Sequence, residues 1–200
     1  HWYLAITLFL VILFFVLFQI NPHHSYGEQM PDTLETQFRA SLFHVTSLFT
    51  SCGFQGTYCD YDGWGSSFWI PTMVMMVSGA CAGSSSGGLK LIRFIICLKN
   101  TQNEFMLHKF PNAILPVKIS KRVIDYELVT RTLAIIFLFL IVLVIGTFLL
   151  SVTGLSFDTA FGSCVSAISN SGPGLGESGP SLNFATLPDS SKWILSILML

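Results

Sequence analysis

The chain has 200 residues, 52% of them hydrophobic and 10% charged, with a net charge of −1 and a mean hydropathy of +0.64. An average soluble domain carries about 25% charged residues, so this composition excludes an ordinary water-soluble domain and points to the bilayer as solvent. The near-neutral charge gives no reason to expect a nucleic-acid partner, and five cysteines without a CxxC pair give neither a disulfide framework nor metal-site spacing, Cys52 and Cys59 being the one pair that an outer loop could bring together.

In chain order, the first element is the uncharged run Trp2–Ile20. At 1.5 Å per residue it is long enough to cross a ~30 Å hydrocarbon core. It begins at once after His1, and the last apolar run, residues 193–200, is cut off at Leu200. Both features lead us to expect a fragment of a longer protein. No basic n-region or small-residue cleavage site marks a signal peptide. His23 and His24 follow Asn21-Pro22 and read as a solvated loop rather than a metal site.

Residues 36–50 form a half-apolar segment, too short to span, with Thr36 as the expected N-cap. His44 falls on this helix and is expected to pack rather than to relay protons. The segment ends in Ser51, Cys52, Gly53 and Phe54. Asp60 and Asp62 follow, either funnelling cations or simply solvated. Trp64, Trp69 and, later, Trp193 stand at span entrances and are expected to be interfacial anchors.

Residues 69–98 are apolar at both ends and interrupted between them by Ser78-Gly79-Ala80-Cys81-Ala82-Gly83-Ser84-Ser85-Ser86-Gly87-Gly88. Glycine costs a helix ~1 kcal/mol per residue, so four of them predict a broken helix, a mark of transport sites and gates. The alternative is a GxxxG packing seam at Gly79 and Gly83. A phosphate-binding loop is rejected: Leu89 stands where the Lys is needed. Lys90 and Arg93 read as anchors of the span's end.

Eight of the ten basic residues lie from Lys90 to Arg131, which places the loop around residues 99–130 in the cytoplasm. A second uncharged run, residues 132–150, is the next span. The short segment Phe157–Ser169 follows, capped by Ser156 or Asp158, and ends in Asn170, Ser171, Gly172 and Pro173. Eight of the eleven acids fall on the opposite, outer side, where their field attracts cations.

The strongest signal is an internal repeat. A shift of 119 residues places Phe38 on Phe157, Ser47 on Ser166, Thr50 on Ser169 and Gly53 on Gly172. The unit is span, short pore helix, extended return, span. A short helix entering from outside aims the negative end of its dipole at the membrane centre. Irregular backbone after it is tolerated only where it lines a cavity. Its carbonyls are then available to replace a cation's hydration shell, and glycine permits the turn. Ordinary Gly/Ser turns between helices are the alternative.

The run from Gly79 through Gly88 to Leu89-Lys90-Leu91-Ile92-Arg93 resembles the intramembrane-loop signature of the Trk/Ktr/HKT potassium-transporter superfamily, closest to its TrkH branch. Thr50-Ser51-Cys52-Gly53-Phe54 resembles that family's third filter corner, and Ser169-Asn170-Ser171-Gly172-Pro173-Gly174-Leu175-Gly176 its fourth. Gly179-Pro180, Asn183-Phe184 and Leu187-Pro188 fit the same branch. The resemblance implies an all-α membrane protein of repeated helix–pore-helix–filter-loop–helix (M1-P-M2) units around a pseudo-fourfold pore. Residues 1–99 would be the third unit, 100–125 a cytoplasmic loop and 126–200 a truncated fourth. It implies potassium bound at Cys52, Gly53, Ser171 and Gly172, and a gate formed by Gly79, Ala80, Cys81, Ala82, Gly83, Ser84, Ser85, Ser86, Gly87 and Gly88. It also implies a homodimer in the bacterial inner membrane, a cytoplasmic nucleotide-binding regulatory subunit of the TrkA/KtrA type, and no cofactor beyond potassium as substrate. Many relatives carry Thr or another small residue where Cys52 stands. The rival classes are a membrane enzyme using the Ser-rich loop and His44, and a non-conducting scaffold; no convergent acid, base or metal cluster supports the enzyme.

Overall fold

The computed structural model describes residues 2–20, 31, 33–56, 61, 64–79, 83, 87–110, 117–119 and 122–200. Among the described residues, seven α-helices carry the fold. They are α1 (Trp2–Ile20), α2 (Leu34–Phe49), α3 (Ser66–Ser78), α4 (Leu91–Lys109), α5 (Tyr126–Val152), α6 (Phe157–Ser169) and α7 (Asp189–Leu198). One departure from an all-helical chain is a small ribbon of β1 (Lys118–Ile119) and β2 (Arg122–Val123), antiparallel with Lys118 opposite Val123. It forms in the polar connection between α4 and α5, held near α4 by a hydrogen bond from Lys99 Nζ to the Lys118 carbonyl.

Helices α1 and α5 are long and apolar enough to cross a membrane. The second is longer than the apolar run alone: its 27 residues reach about 40 Å, because Tyr126 to Arg131 continue the helix with a Glu127–Arg131 pair one turn apart. Helices α2 and α6, of 16 and 13 residues, fall short of a full crossing.

Local chemistry fixes where the short helices start. The cap of α2 is Thr33, not Thr36. Thr36 is the other half of a capping box: its amide donates to Thr33 Oγ1 (3.3 Å) and its Oγ1 accepts from the Thr33 amide (3.0 Å). Ser156 caps α6 through the Thr159 amide, and Asp158 sits in the first turn, where a negative charge suits the dipole.

The span expected over residues 69–98 is broken. Helix α3 stops at Ser78, and α4 begins at Leu91. Gly79 turns out at φ +58, which rules out a continuous GxxxG helix at Gly79 and Gly83. The chain leaves α3 and returns beside its own departure point: the Leu89 amide donates to the Val77 carbonyl (2.9 Å).

The first copy is welded by rings. Phe14 and Phe18 on α1, His44 on α2, Trp64, and Phe68 on α3 are all buried. Their ring centroids lie close together: 4.7 Å for Phe18–Trp64, 5.0 Å for Phe14–His44, 5.0 Å for His44–Trp64 and 5.3 Å for Trp64–Phe68. Trp64 is therefore a core residue, not an interfacial anchor: its ring is turned inward against α1 and α2. Trp193 is exposed, as an anchor would be. In the second copy, Gly146 on α5 lets two neighbours close in. A side chain there would meet Cys164 Sγ at 2.6 Å and Leu198 Cδ1 at 3.0 Å.

Phe14→Ala removes the fully buried ring at the centre of this cluster. It should cost about 3–5 kcal/mol, read as a lowered unfolding midpoint of the detergent-solubilised full-length protein; an unchanged midpoint would mean the cluster does not hold α1 to α2.

Candidate functional site

The two corners that follow α2 and α6 are built the same way. At the first, the Ser51 amide donates to the Leu48 carbonyl (3.0 Å) and the Cys52 amide to the Ser47 carbonyl (2.9 Å). At the second, the Asn170 amide donates to the Ala167 carbonyl (3.2 Å) and the Ser171 amide to the Ser166 carbonyl (3.1 Å). Each bond of the second set is the first shifted by 119 residues. The dihedrals follow suit: Ser51 and Asn170 turn at φ +57 and +51, Gly53 and Gly172 at φ +68 and +104. Asn tolerates the left-handed region through its short polar side chain, whereas Ser51 occupies it as a strained exception.

The corners touch. A side chain built on Gly53 would lie 1.9 Å from the Ser171 carbonyl oxygen and 3.3 Å from Pro173 Cδ. Glycine is thus required there twice, for its dihedral and for the close approach. Gly172 is required only for its dihedral, since nothing lies within 4 Å of a side chain built on it. It borders a cavity of about 320 Å³ whose lining includes Ser163, Ser166, Phe184, Lys192 and Ser196.

Among the described residues, no hydrogen bond ends on the main-chain oxygens of Ser51, Cys52, Gly53, Asn170, Ser171, Gly172 or Pro173. Phe54 differs: its carbonyl accepts from Ser47 Oγ at 2.6 Å. That bond ties the return to its helix and uses one of the two lone pairs of the Phe54 oxygen. Its ring is exposed.

The second return is held by a denser set of hydroxyls. Ser163 Oγ lies 2.7 Å from Ser178 Oγ, Ser178 Oγ donates to the Leu175 carbonyl (3.0 Å), and the Glu177 amide donates to Thr159 Oγ1 (3.2 Å). Tyr61, in the return of the first copy, donates its phenol to the Gly174 carbonyl at 2.5 Å in a buried setting. This bond spans 113 positions and staples one copy's return to the other's.

His44 is buried against the rings described above, with Nε2 3.2 Å from Thr72 Oγ1. It holds α2 to α3 and does not reach the corners through any described contact. Cys52 is exposed, with Sγ 3.2 Å from Thr50 Oγ1. In the interrupted span, Gly79, Gly83, Gly87 and Gly88 are described; Ala80, Cys81, Ala82, Ser84, Ser85 and Ser86 lie outside the described residues, as do His23, His24, Asp60 and Asp62. Ser47, Tyr61 and Ser178 were not expected to shape the site. Ser47 had a signal, its match to Ser166 under the repeat; Tyr61 had none.

The helix ends, the positive dihedrals and the unbonded oxygens together suit a dehydrated cation, for which the C-terminal ends of α2 and α6 supply partial negative charge.

Comparison with known proteins agrees in direction. The profile of the TrkH family, described as "Cation transport protein", matches residues 1–200. The chain is 32% identical over 168 residues to the Trk system potassium uptake protein TrkI of Halomonas elongata, covering 82% of this chain and 33% of that protein. It is 29% identical over 194 residues to TrkH of Vibrio parahaemolyticus, covering 95% and 38% respectively. It is 30% identical over 162 residues to TrkH of Escherichia coli K12, covering 80% and 32%. The crystal structure of the potassium transporter TrkH from Vibrio parahaemolyticus superposes with a TM-score of 0.84 at 26% identity, over 98% of this chain and 40% of that one. The chain thus spans about a third of the length of these relatives.

Tyr61→Phe deletes the buried donor to the Gly174 carbonyl and leaves that oxygen without its partner. A loss of about 1–3 kcal/mol is expected, seen as a lower unfolding midpoint with unchanged membrane insertion; an unaltered midpoint would show that the staple contributes nothing.

Proposed function

The chain belongs to the TrkH family of cation transport proteins, and from that premise we propose that it supplies two of the filter-bearing units of a potassium uptake pathway. A family of transporters removes the membrane-enzyme alternative. Membership of that family makes it an integral membrane protein, and the apolar helices α1 and α5 are in keeping with this. Potassium, shed of water, passes between the corners and is held by main-chain oxygens of Ser51, Cys52 and Gly53 on one side and of Asn170, Ser171 and Gly172 on the other. The observation that carries this reading is the contact between two corners that share two hydrogen bonds and the sign of two dihedrals, each at the end of a short helix.

In this reading, residues 1–99 and 126–200 are the third and fourth M1-P-M2 units, set around one pseudo-fourfold axis with two units preceding them. Residues 100–125 face the bacterial cytoplasm, in keeping with their basic excess, and meet a nucleotide-binding regulatory subunit. Two such proteins form a homodimer in the inner membrane. Transport coupled to another ion fits the same path. The loop between α3 and α4 acts as the gate, because it leaves and rejoins the fold at one point: a side chain on Gly79 would meet the Gly87 carbonyl oxygen at 2.6 Å.

Gly53→Ser and Gly172→Ser in the full-length protein should each lower potassium uptake at least about tenfold, equivalent to ~1.4 kcal/mol on the barrier, with normal insertion. Normal uptake in both variants would sink the filter assignment. Deleting residues 83–85 should raise the flux; an unchanged or lower flux would argue for a packing role of the loop.

A further inference from the structure

The neck of the interrupting loop is pressed against the second corner. A side chain built on Gly87 would lie 2.1 Å from the Ser169 carbonyl oxygen, 2.6 Å from the Ser169 carbonyl carbon and 3.1 Å from Asn170 Cβ. These are mostly backbone atoms, so no rotamer change relieves the conflict. Gly83, farther out on the same loop, has nothing within 4 Å. The close approach is thus made at Gly87 and not at Gly83.

The contacts continue on both sides. Toward α3, a side chain on Gly88 (φ +75) would meet the Val77 carbonyl at 2.9 Å, and Leu89 bonds that same carbonyl. Toward the corner, Ser169 Oγ donates to the Val165 carbonyl (2.6 Å) and lies 3.2 Å from Ser171 Oγ, both buried. The Ser171 carbonyl oxygen in turn fills the space that a side chain on Gly53 would need. From Gly87 to Ser169, to Ser171, to Gly53 the contacts are continuous: a tight backbone approach at each end and a hydroxyl hydrogen bond of 3.2 Å between them.

We infer that Gly87 is a specificity-determining positioning residue: through its contact with Ser169 and Asn170, the neck of the loop sets where the second corner's carbonyls stand, so that loop state and ion preference are coupled. This inference rests on the proposed potassium pathway and deepens it. A carbonyl filter separates alkali ions by the number, placement and field strength of its oxygens. Moving one corner changes the preference, while obstructing the path slows all ions alike. Coupling of this kind is reciprocal, so the ion in the filter also biases the loop.

The test uses the full-length protein in liposomes, with potassium and sodium fluxes measured in parallel. Gly87→Ala should shift the potassium-to-sodium flux ratio by roughly fivefold or more. Gly83→Ala should leave the ratio at the parent's value whatever it does to the rate. A Gly87→Ala protein that conducts with the parent's ratio overturns the inference and leaves the pathway standing. A parent that carries neither ion overturns the pathway and the inference with it.

Should Gly87→Ala fail to assemble, Gly83→Cys, placed where there is room, serves instead. With labelling of the parent's own cysteines subtracted, its modification rate by a cytoplasmic thiol reagent should differ about fivefold between potassium and sodium. Equal rates in the two ions overturn the inference.

Discussion

A peptide carbonyl at membrane depth has no water to satisfy it, so each one must bond within the protein or line a wet path. The corners after α2 and α6 answer this constraint in two ways. Their amides are spent on the helix they have just left, at Leu48 and Ser47 in one copy and Ala167 and Ser166 in the other. Their oxygens from Ser51 to Gly53 and from Asn170 to Pro173 are not taken up by any described residue. Donors turn inward and acceptors are left over, which is the polarity a cation requires.

The remainder of the fold keeps those acceptors in place. Ser47 ties down the Phe54 carbonyl, Tyr61 the Gly174 carbonyl, and the Ser163–Ser178 pair fastens the second return to α6. The ring cluster around Trp64 does for the first copy what Gly146 does for the second: each brings the short helix against its long neighbour, one by filling space and the other by vacating it. Glycine at the corners has two separable duties. Gly53 needs both its dihedral and its missing side chain, Gly172 only its dihedral, although the repeat makes them equivalent in sequence.

Much of this was legible in the sequence where the signal is local. Uncharged runs gave α1 and α5, the Gly/Ser interruption gave the break after Ser78, and the offset of 119 residues gave matching corners. What escaped was set by distant partners. Trp64 beside a span reads as an anchor until Phe18 and Phe68 are seen to pack edge-to-face against it. The Phe54 carbonyl is indistinguishable by letter from its neighbours until Ser47 reaches it. No spacing rule announces that Tyr61 meets Gly174 or that Gly87 abuts Ser169. Thr33 took the cap expected at Thr36 because both belong to one capping box, and sequence alone does not say which end of it is the cap.

The most direct measurement is anomalous diffraction from crystals of the full-length protein soaked in rubidium or thallium, heavy counterparts of potassium. The account requires a peak between the two corners, in contact with main-chain oxygens of Cys52, Gly53, Ser171 and Gly172. Ions found only elsewhere, in a protein that still carries them across the membrane, would contradict it.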